Sequence, residues 1–287
     1  MNVPVRRVTW PRTSRIIRSI HPPIDLFEDL ADPADWEALA SAEAKFNPRI
    51  RDSIGDLSKV PVARRVTWPR TVRIIRSIYP PIDLFEDIAD PADWEALASA
   101  EAKFNPRIRD SIGDLAKVPV TRRVTGPGAS WVMAPFVHCS PLRSGRFSDG
   151  SFGLYYAGDC TEVAIAETIH HHARFMRATD EPPGWTSQFR ELIGSIDADL
   201  DDATGRADLL DPNDYGPSQI FGAERRAAGS NGITWPSVRY PGGHCIAVFW
   251  PDVVTIPTQG GHFAYHWNRT TVDYVKRLET GEVWQVT

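Results

Sequence analysis

The sequence predicts an α+β fold in which flanking helices pack against a mixed sheet. Short apolar runs bounded by Gly, Pro, Asp and Asn recur through the second half of the chain and are typical of strands. Between them lie a few segments whose apolar residues are spaced three and four apart, as in amphipathic helices. Strands interleaved with few helices favour such a core over a parallel doubly wound sheet.

An internal repeat fills the first half of the chain. Residues 6–57 recur as residues 64–115. Only three of these 52 positions differ, namely Ser14/Val72, His21/Tyr79 and Leu30/Ile88. Two copies are too few for a solenoid, and identity at exposed and buried positions alike indicates a recent tandem duplication. We therefore divide the chain into a peripheral first copy (1–58), a packed second copy (59–117) and a main domain (118–287).

Each copy of the repeat predicts one helix. In the second copy Asp90 is the expected N-cap, and an apolar face that starts at Trp94 continues to about Phe104. The Asn-Pro pair that follows ends the helix. Residues 32–46 form the same helix in the first copy. The duplicated segment is therefore predicted to be mostly helical.

The charges of the second copy are segregated along its sequence. Five arginines lie between Arg64 and Arg76 without an acid, and seven acids lie between Asp83 and Glu101 without a base. A nucleic-acid-binding arm is one interpretation, but we favour pairing of the two segments because their charges balance. The whole net charge of −5 falls in the main domain, which argues against direct nucleic-acid binding.

The main domain predicts three strands and two helices. The predicted strands are 131–136, 153–157 and 245–250. The predicted helices are 161–177 and 217–228. Residues 191–214 are rich in acids and contain Gly205 and Pro212, so we expect a loop or a sheet edge there.

Several chemistries have no signature in the sequence. It contains no GxGxxG, no GxxxxGK[ST] and no GxSxG motif. The three cysteines form no CxxC pair, so we expect neither a disulfide framework nor a zinc site. No apolar run approaches the ~20 residues of a membrane span, and the N-terminus mixes arginines with acids and prolines. The expectation is a soluble, cytoplasmic protein without membrane contact.

Three polar residues of the main domain suit more than a structural role. Arg146 lies in a polar loop, Tyr156 ends a predicted strand, and Glu167 lies in the second turn of a predicted helix. Each also has an ordinary explanation: a solvated arginine, a core tyrosine with a bonded hydroxyl, and a glutamate at the rim of a helix. Spacing alone leaves both interpretations open, including a cleft position for Glu167.

Three consecutive histidines, residues 170–172, raise the question of a metal site. Consecutive helical residues point in different directions and cannot converge on one ion. Glu167 and His170 form a single Glu-x-x-His pair, whereas two-metal carboxylate sites use two such pairs. We therefore expect no metal, with the histidines lining a rim or pairing with acids.

Four motifs follow one another in the main domain. They are Gly145-Arg146-Phe147, Gly153-Leu154-Tyr155-Tyr156-Ala157, Ala164-Ile165-Ala166-Glu167 and Gly232-Ile233-Thr234-Trp235-Pro236-Ser237-Val238-Arg239. Together they resemble the RES-domain family, which includes the ParT-type toxins of bacterial toxin–antitoxin pairs. The resemblance covers about residues 118–270, and residues 73–115 resemble the lead-in segment of some members.

The resemblance implies a fold, a substrate and a partner. The fold is compact and ADP-ribosyltransferase-like, and the main domain is the catalytic one. The substrate is NAD⁺, whose nicotinamide–ribose bond is cleaved without a further cofactor or metal. The ADP-ribose passes to water, phosphate or a host protein, as in a glycohydrolase, a phosphorylase or an ADP-ribosyltransferase. The partner is an antitoxin with Xre-type and MbcA/ParS-type regions.

The resemblance also assigns roles to residues. Glu167, Arg146 and Tyr156 are the implied catalytic residues, and Arg146, Tyr156 and Ser237 the implied substrate-binding residues. A carboxylate can stabilise an oxocarbenium-like ribose, and an arginine fork can grip a diphosphate. Many members carry an arginine in their first strand, where this sequence has Trp131-Val132-Met133.

Two further readings remain open at the level of sequence. The chain could be a non-catalytic module that binds a partner in a toxin–antitoxin operon, which would fit the repeat and its segregated charges. The first copy could also make the chain a homo-oligomer, since identical elements exchange at low cost.

Overall fold

The computed structural model describes residues 5–10, 13–18, 62–86 and 90–286. It divides the chain into two compact units, Met1–Val62 and Ala63–Thr287. Within the first unit, strands β1 (Val5–Trp10) and β2 (Thr13–Arg18) form an antiparallel hairpin. The helix predicted at residues 32–46 lies outside the described residues, so the peripheral role of the first copy stays a prediction.

The second unit contains eight strands and six helices in its described part. In chain order they are β3 (Val62–Arg76), α1 (Asp83–Glu86), α2 (Trp94–Glu101), α3 (Ile108–Ile112), α4 (Ala129–Val137), β4 (Tyr155–Gly158), α5 (Thr161–Met176), β5 (Trp185–Asp202), α6 (Gly216–Ala227), β6 (Gly232–Pro236), β7 (His244–Val248), β8 (Thr258–Trp267), β9 (Val272–Arg277) and β10 (Val283–Gln285). Short 3₁₀ turns connect several of them. No helix of these described residues is long and apolar enough to cross a bilayer.

The eight strands form one mixed sheet in the order β10-β9-β8-β5-β3-β4-β7-β6. Strand β5 is 18 residues long, and its first half pairs antiparallel with β8. Its last two residues pair parallel with β6, where Asp201 lies opposite Ile233. The far end of the sheet therefore curls back onto β5. The predicted α+β class, a mixed sheet with flanking helices, is confirmed.

The second copy of the repeat shares a core with the main domain. Phe85 of α1 and Trp94 of α2 are fully buried, with ring centroids 5.0 Å apart. They belong to the same apolar cluster as Val132 and Phe136 of α4. The main chain is tied as well, because the amide of Gly126 donates to the carbonyl of Phe85 at 3.0 Å. The Trp94 face is thus a core face.

Three of the five arginines in residues 64–76 pair with acids of β5. Arg65 contacts Asp197 at 2.8 Å, Arg64 contacts Asp202 at 3.4 Å, and Arg70 contacts Glu191 at 3.2 Å. The favoured pairing of the two segments was therefore wrong for these arginines. The prediction was wrong because residues 64–76 form a strand, and the arginine side chains of this strand reach the acids of the neighbouring strand β5. This strand was also not expected in a mostly helical segment.

Two further elements differ from the predicted ones. Residues 131–136 form part of helix α4 and not a strand, because a short run that is apolar throughout suits a buried helix as well as a buried strand. Residues 191–202 belong to β5 and not to a loop. Their acids alternate with buried Ile196, Ala198 and Leu200, which is the two-residue period of a half-buried strand.

The remaining predicted elements lie close to their expected positions. The helix expected at residues 161–177 is α5, the one expected at 217–228 is α6, and the other two strands are β4 and β7. Helix α2 is shorter than expected, ending at Glu101, and its N-cap is Asp93. The side chain of Asp90 instead accepts from the amide of Ala92 at 2.8 Å in the preceding turn.

Buried Glu191 joins three parts of the fold, and its removal provides a test of their coupling. Its side chain is 3% exposed and accepts from Thr161 at 2.7 Å, and it contacts Arg70 and Arg277 at 3.2 and 3.5 Å. We expect Glu191→Ala to lower the free energy of unfolding by about 2–3 kcal/mol, because the buried Thr161 hydroxyl and the two arginines lose their acceptor. Chemical denaturation measures the loss.

The matched control is Asp197→Ala on the same strand. Asp197 also pairs with an arginine, but both side chains are more than half exposed. Its removal should change the free energy of unfolding by less than about 1 kcal/mol. Equal losses for the two variants would contradict a special role of Glu191.

Candidate active site

A cleft of about 290 Å³ opens where β3, β4 and β7 face helix α5. Three of the four residues singled out from the sequence line it: Arg146, Tyr156 and Glu167. The other polar or aromatic lining residues include Arg73, Arg143, Thr168, His171, Tyr215, Trp235, Arg239 and Cys245. Ser237, the fourth residue, reaches the cleft through a hydrogen bond to Glu167. The fold thus brings all four predicted residues to one place.

Glu167 lies at the cleft, and its carboxylate is held from both sides. Its Oε2 contacts Nη1 of Arg239 at 2.7 Å, and its Oε1 accepts from the hydroxyl of Ser237 at 3.0 Å. The Ser237 hydroxyl is itself fixed, because the amides of Arg239 and Tyr240 donate to it at 3.2 and 3.1 Å. The carboxylate therefore has a defined orientation, and the cleft interpretation replaces the rim interpretation.

Arg146 is buried beside the cleft and is tied to a neighbouring loop. Its Nη1 donates to the carbonyls of Leu209 and Asp211 at 3.1 and 2.8 Å, and its guanidinium lies 4.7 Å from the ring centroid of Tyr215. Burial lowers the pKa of this guanidinium. Within the described part of the chain its buried Nη2 has no hydrogen-bond acceptor. A buried donor without an acceptor is costly, so this nitrogen suits a ligand oxygen.

Tyr156 carries a neutral hydroxyl at the base of the cleft. The hydroxyl accepts from the amide of Phe147 at 3.2 Å, and the ring packs edge-on against Trp235 at 6.2 Å. Burial raises the pKa of Tyr156 well above its usual value, so the group is not a general base at neutral pH. A Cβ at Gly145 would lie 2.8 Å from this hydroxyl, which explains the glycine there.

Two arginines of the cleft were not found from the sequence. Arg73 of β3 lines the cleft and donates to the carbonyl of Tyr156 at 3.0 Å. Residues 131–133, where the sequence analysis placed a first strand, lie in a helix. Arg73 is an arginine on a strand of the sheet, and it comes from the second copy of the repeat. The available signal was the alternation of arginine with buried Val72 and Ile74.

Arg239 connects the carboxylate to the aromatic wall of the cleft. Its Nη1 contacts Glu167, and its Nη2 donates to the hydroxyl of Tyr215 at 3.0 Å. Arg239 belongs to the same motif as Ser237, but only the serine was assigned a role from it. With Arg73, Arg143 and Arg146 it gives the cleft four guanidiniums beside the carboxylate of Glu167. An excess of planar cations suits a diphosphate group.

The three histidines of α5 diverge. His171 lines the cleft, whereas His172 is buried and packs edge-on against Phe189 at 4.9 Å. Burial lowers the pKa of each of the three to about 4, so all are neutral at pH 7. Among the residues that the structure describes, no group of three or more His, Cys, Asp or Glu side chains is placed to hold a metal ion.

Comparisons with known proteins add three findings. The RES domain model matches residues 120–268. The uncharacterized protein y4oC of Sinorhizobium fredii is 30% identical over 206 residues, which cover 70% of this chain and 84% of the relative. The crystal structure of the M. tuberculosis MbcT–MbcA toxin–antitoxin complex matches with 8% identity and a TM-score of 0.36, covering 70% of this chain and 85% of that one. A score this low supports no structural inference.

The family match spans just over half of the chain and contains all four residues singled out from the sequence. Arg146, Tyr156, Glu167 and Ser237 fall inside it, and the structure gathers them around one cleft. The chain belongs to the RES domain family.

Proposed function

We propose that this protein is the toxin of a toxin–antitoxin pair and consumes NAD⁺ by cleaving the bond between nicotinamide and ribose. The observation that carries the proposal is the carboxylate of Glu167, fixed between Ser237 and Arg239 at the edge of a cleft lined with guanidiniums. Family membership supports the same activity. The proposed reaction needs neither a metal nor a second cofactor.

The arrangement suits heterolysis of a glycosidic bond. The bonding electrons leave with neutral nicotinamide, and positive charge develops on the ribose. A fixed carboxylate close to that carbon stabilises the charge without reorganising during the reaction. A nucleophile then attacks the ribose and loses its proton. Water, phosphate or a protein side chain can take this role, and each gives a product of different mass.

The guanidiniums suit the other half of the substrate. Arg73 and Arg146 present donors to the cleft, and Nε of Arg73 and Nη2 of Arg146 are buried nitrogens without an acceptor in the described part of the chain. A diphosphate offers oxygen acceptors and the opposite charge. Tyr156 and Trp235 offer aromatic surface to the nicotinamide ring. We propose that these contacts exist in the ground state and set substrate affinity.

Glu167→Gln tests the catalytic assignment. The amide keeps the size of the side chain but loses its charge, so we expect a folded protein whose nicotinamide release is slower by about 10²–10³. Glu162→Gln, in the first turn of the same helix, should release nicotinamide at the parental rate. Parental turnover of Glu167→Gln would remove the carboxylate from the chemistry. If the parental chain itself releases no nicotinamide, the non-catalytic binding module is the better description.

Arg146→Ala tests substrate binding. Because hydrogen bonds to charged groups contribute about 1.5–3 kcal/mol, we expect the affinity for NAD⁺ to fall by about ten-fold to a hundred-fold. Calorimetry in the Glu167→Gln background measures binding without turnover. Arg107→Ala, at an exposed arginine that does not line the cleft, is the control. Unchanged affinity in Arg146→Ala would place the diphosphate elsewhere.

Growth of the producing cell tests the toxin and antitoxin roles. A chain that depletes NAD⁺ should stop growth when it is expressed alone, and the neighbouring antitoxin gene should restore growth. Expression of Glu167→Gln at the same level should be tolerated. Normal growth with abundant parental protein, while the purified chain cleaves NAD⁺, would contradict the toxin role but not the activity.

A further inference from the structure

The two copies of the repeat begin with nearly the same peptide but have different backbones. Residues 6–18 and 64–76 are identical at twelve of thirteen positions. In the first copy this peptide forms the β1–β2 hairpin, in which Trp10 pairs with Thr13. In the second copy it is one continuous strand, β3. The peptide is therefore compatible with both structures.

A proline explains why one sequence suits both backbones. Pro11 stands between β1 and β2 in the sequence, and proline is a common turn residue because its φ is fixed. Its counterpart Pro69 lies within β3 at an exposed position, where the missing N–H interrupts the ladder only locally. The choice between hairpin and strand is consequently made by what surrounds the peptide.

The surroundings of β3 favour the second copy over the first at one residue position, that of Val72. Strand β3 lies between β5 and β4, and Val72 pairs with Gly158 of β4. The Val72 side chain is 0% exposed and belongs to an apolar cluster with Ala164 and Ile165 of α5. The first copy carries Ser14 at the corresponding position, and this is the one difference within the thirteen residues.

We propose that the position between β5 and β4 accepts either copy, and that Val72 assigns it to the second. The first copy also carries the three arginines that would pair with the acids of β5, because Arg6, Arg7 and Arg12 correspond to Arg64, Arg65 and Arg70. Burying the hydroxyl of Ser14 in an apolar cluster is unfavourable, whereas burying Val72 is favourable. On this proposal residues 6–18 can replace β3, and the Ser14 side chain makes that replacement unfavourable.

The chain connectivity permits the exchange within one molecule. With residues 6–18 in the strand position, residues 19–76 would connect its end to Ser77, and helices α1 to α3 would stay in place. This connection has 58 residues. The entropy cost of closing a loop grows only with the logarithm of its length, so a loop of this size is tolerated.

Four full-length variants test the proposal by their melting temperatures. Val72→Asp makes the second copy unsuitable for the buried position, and Ser14→Val makes the first copy suitable. We expect Val72→Asp/Ser14→Val to melt within about 5 °C of the parent. Val72→Asp/Ser14→Asp has no suitable copy and should melt at least about 10 °C lower or fail to fold. Ser14→Asp and Ser14→Val alone should melt like the parent.

The comparison decides the proposal in either direction. Equal melting of the two double variants would overturn it, including the case in which neither folds. A loss in Ser14→Asp alone as large as that in Val72→Asp/Ser14→Asp would also overturn the assignment of the position to the second copy. Light scattering should show the rescued variant with the molecular mass of the parent. A dimer formed only on rescue would overturn exchange within one chain.

A second measurement asks whether the replacement strand completes the cleft, and it rests on the proposed function. Arg15 corresponds to Arg73. In the rescued variant, Arg15→Ala should weaken NAD⁺ binding about ten-fold or more, whereas Arg73→Ala should not change it. In the parent the two effects should be reversed. The melting comparison does not depend on NAD⁺, so failure of the proposed function leaves it intact.

Discussion

The insertion of β3 between β5 and β4 is the constraint on which the rest of the structure depends. A central strand satisfies its neighbours' main-chain groups on both sides, so β3 joins β5 to β4 directly, and β6 and β7 provide a second link between the same two strands. Its arginines offset the acids of β5, which would otherwise repel one another along a single strand. Its distal end brings Arg73 to the cleft. Sheet, charge balance and site therefore have a common origin.

Charge in the cleft is set by groups that do not titrate near neutral pH. Burial raises the pKa of Tyr156 and of Cys245, and it lowers the pKa of His171 to about 4, so all three are neutral there. The guanidiniums remain as the source of positive charge, and Glu167 is the carboxylate among them. This fixed arrangement of charges suits the anionic substrate that we propose.

The sequence allowed the prediction of the family, the fold class and four residues of the cleft, because short motifs preserve the local order of strand, helix and loop. It did not reveal Arg73, since the alternation of Arg73 with Val72 and Ile74 is too short to separate a strand from a solvated basic arm until these two residues are known to be buried. The acids of β5 concealed a strand for the same reason. Charged side chains are tolerated in a strand when a neighbouring strand supplies the opposite charge. The local sequence contains no sign of that partner, so such a strand resembles a loop. The strand predicted at residues 131–136 was wrong for a different reason. Burial on several sides removes the hydrophobic periodicity that distinguishes a helix from a strand.

The position of β3 also affects how the boundary of the domain is drawn. The matched family region, residues 120–268, begins after this strand and ends before β9. A boundary placed there would cut through the middle of a sheet and separate Arg73 from the cleft it lines. The region matched by the family model, residues 120–268, is therefore smaller than the compact unit Ala63–Thr287 that contains the whole sheet. The duplicated segment, which looks like an appendage in the sequence, is partly interior to the domain that follows it.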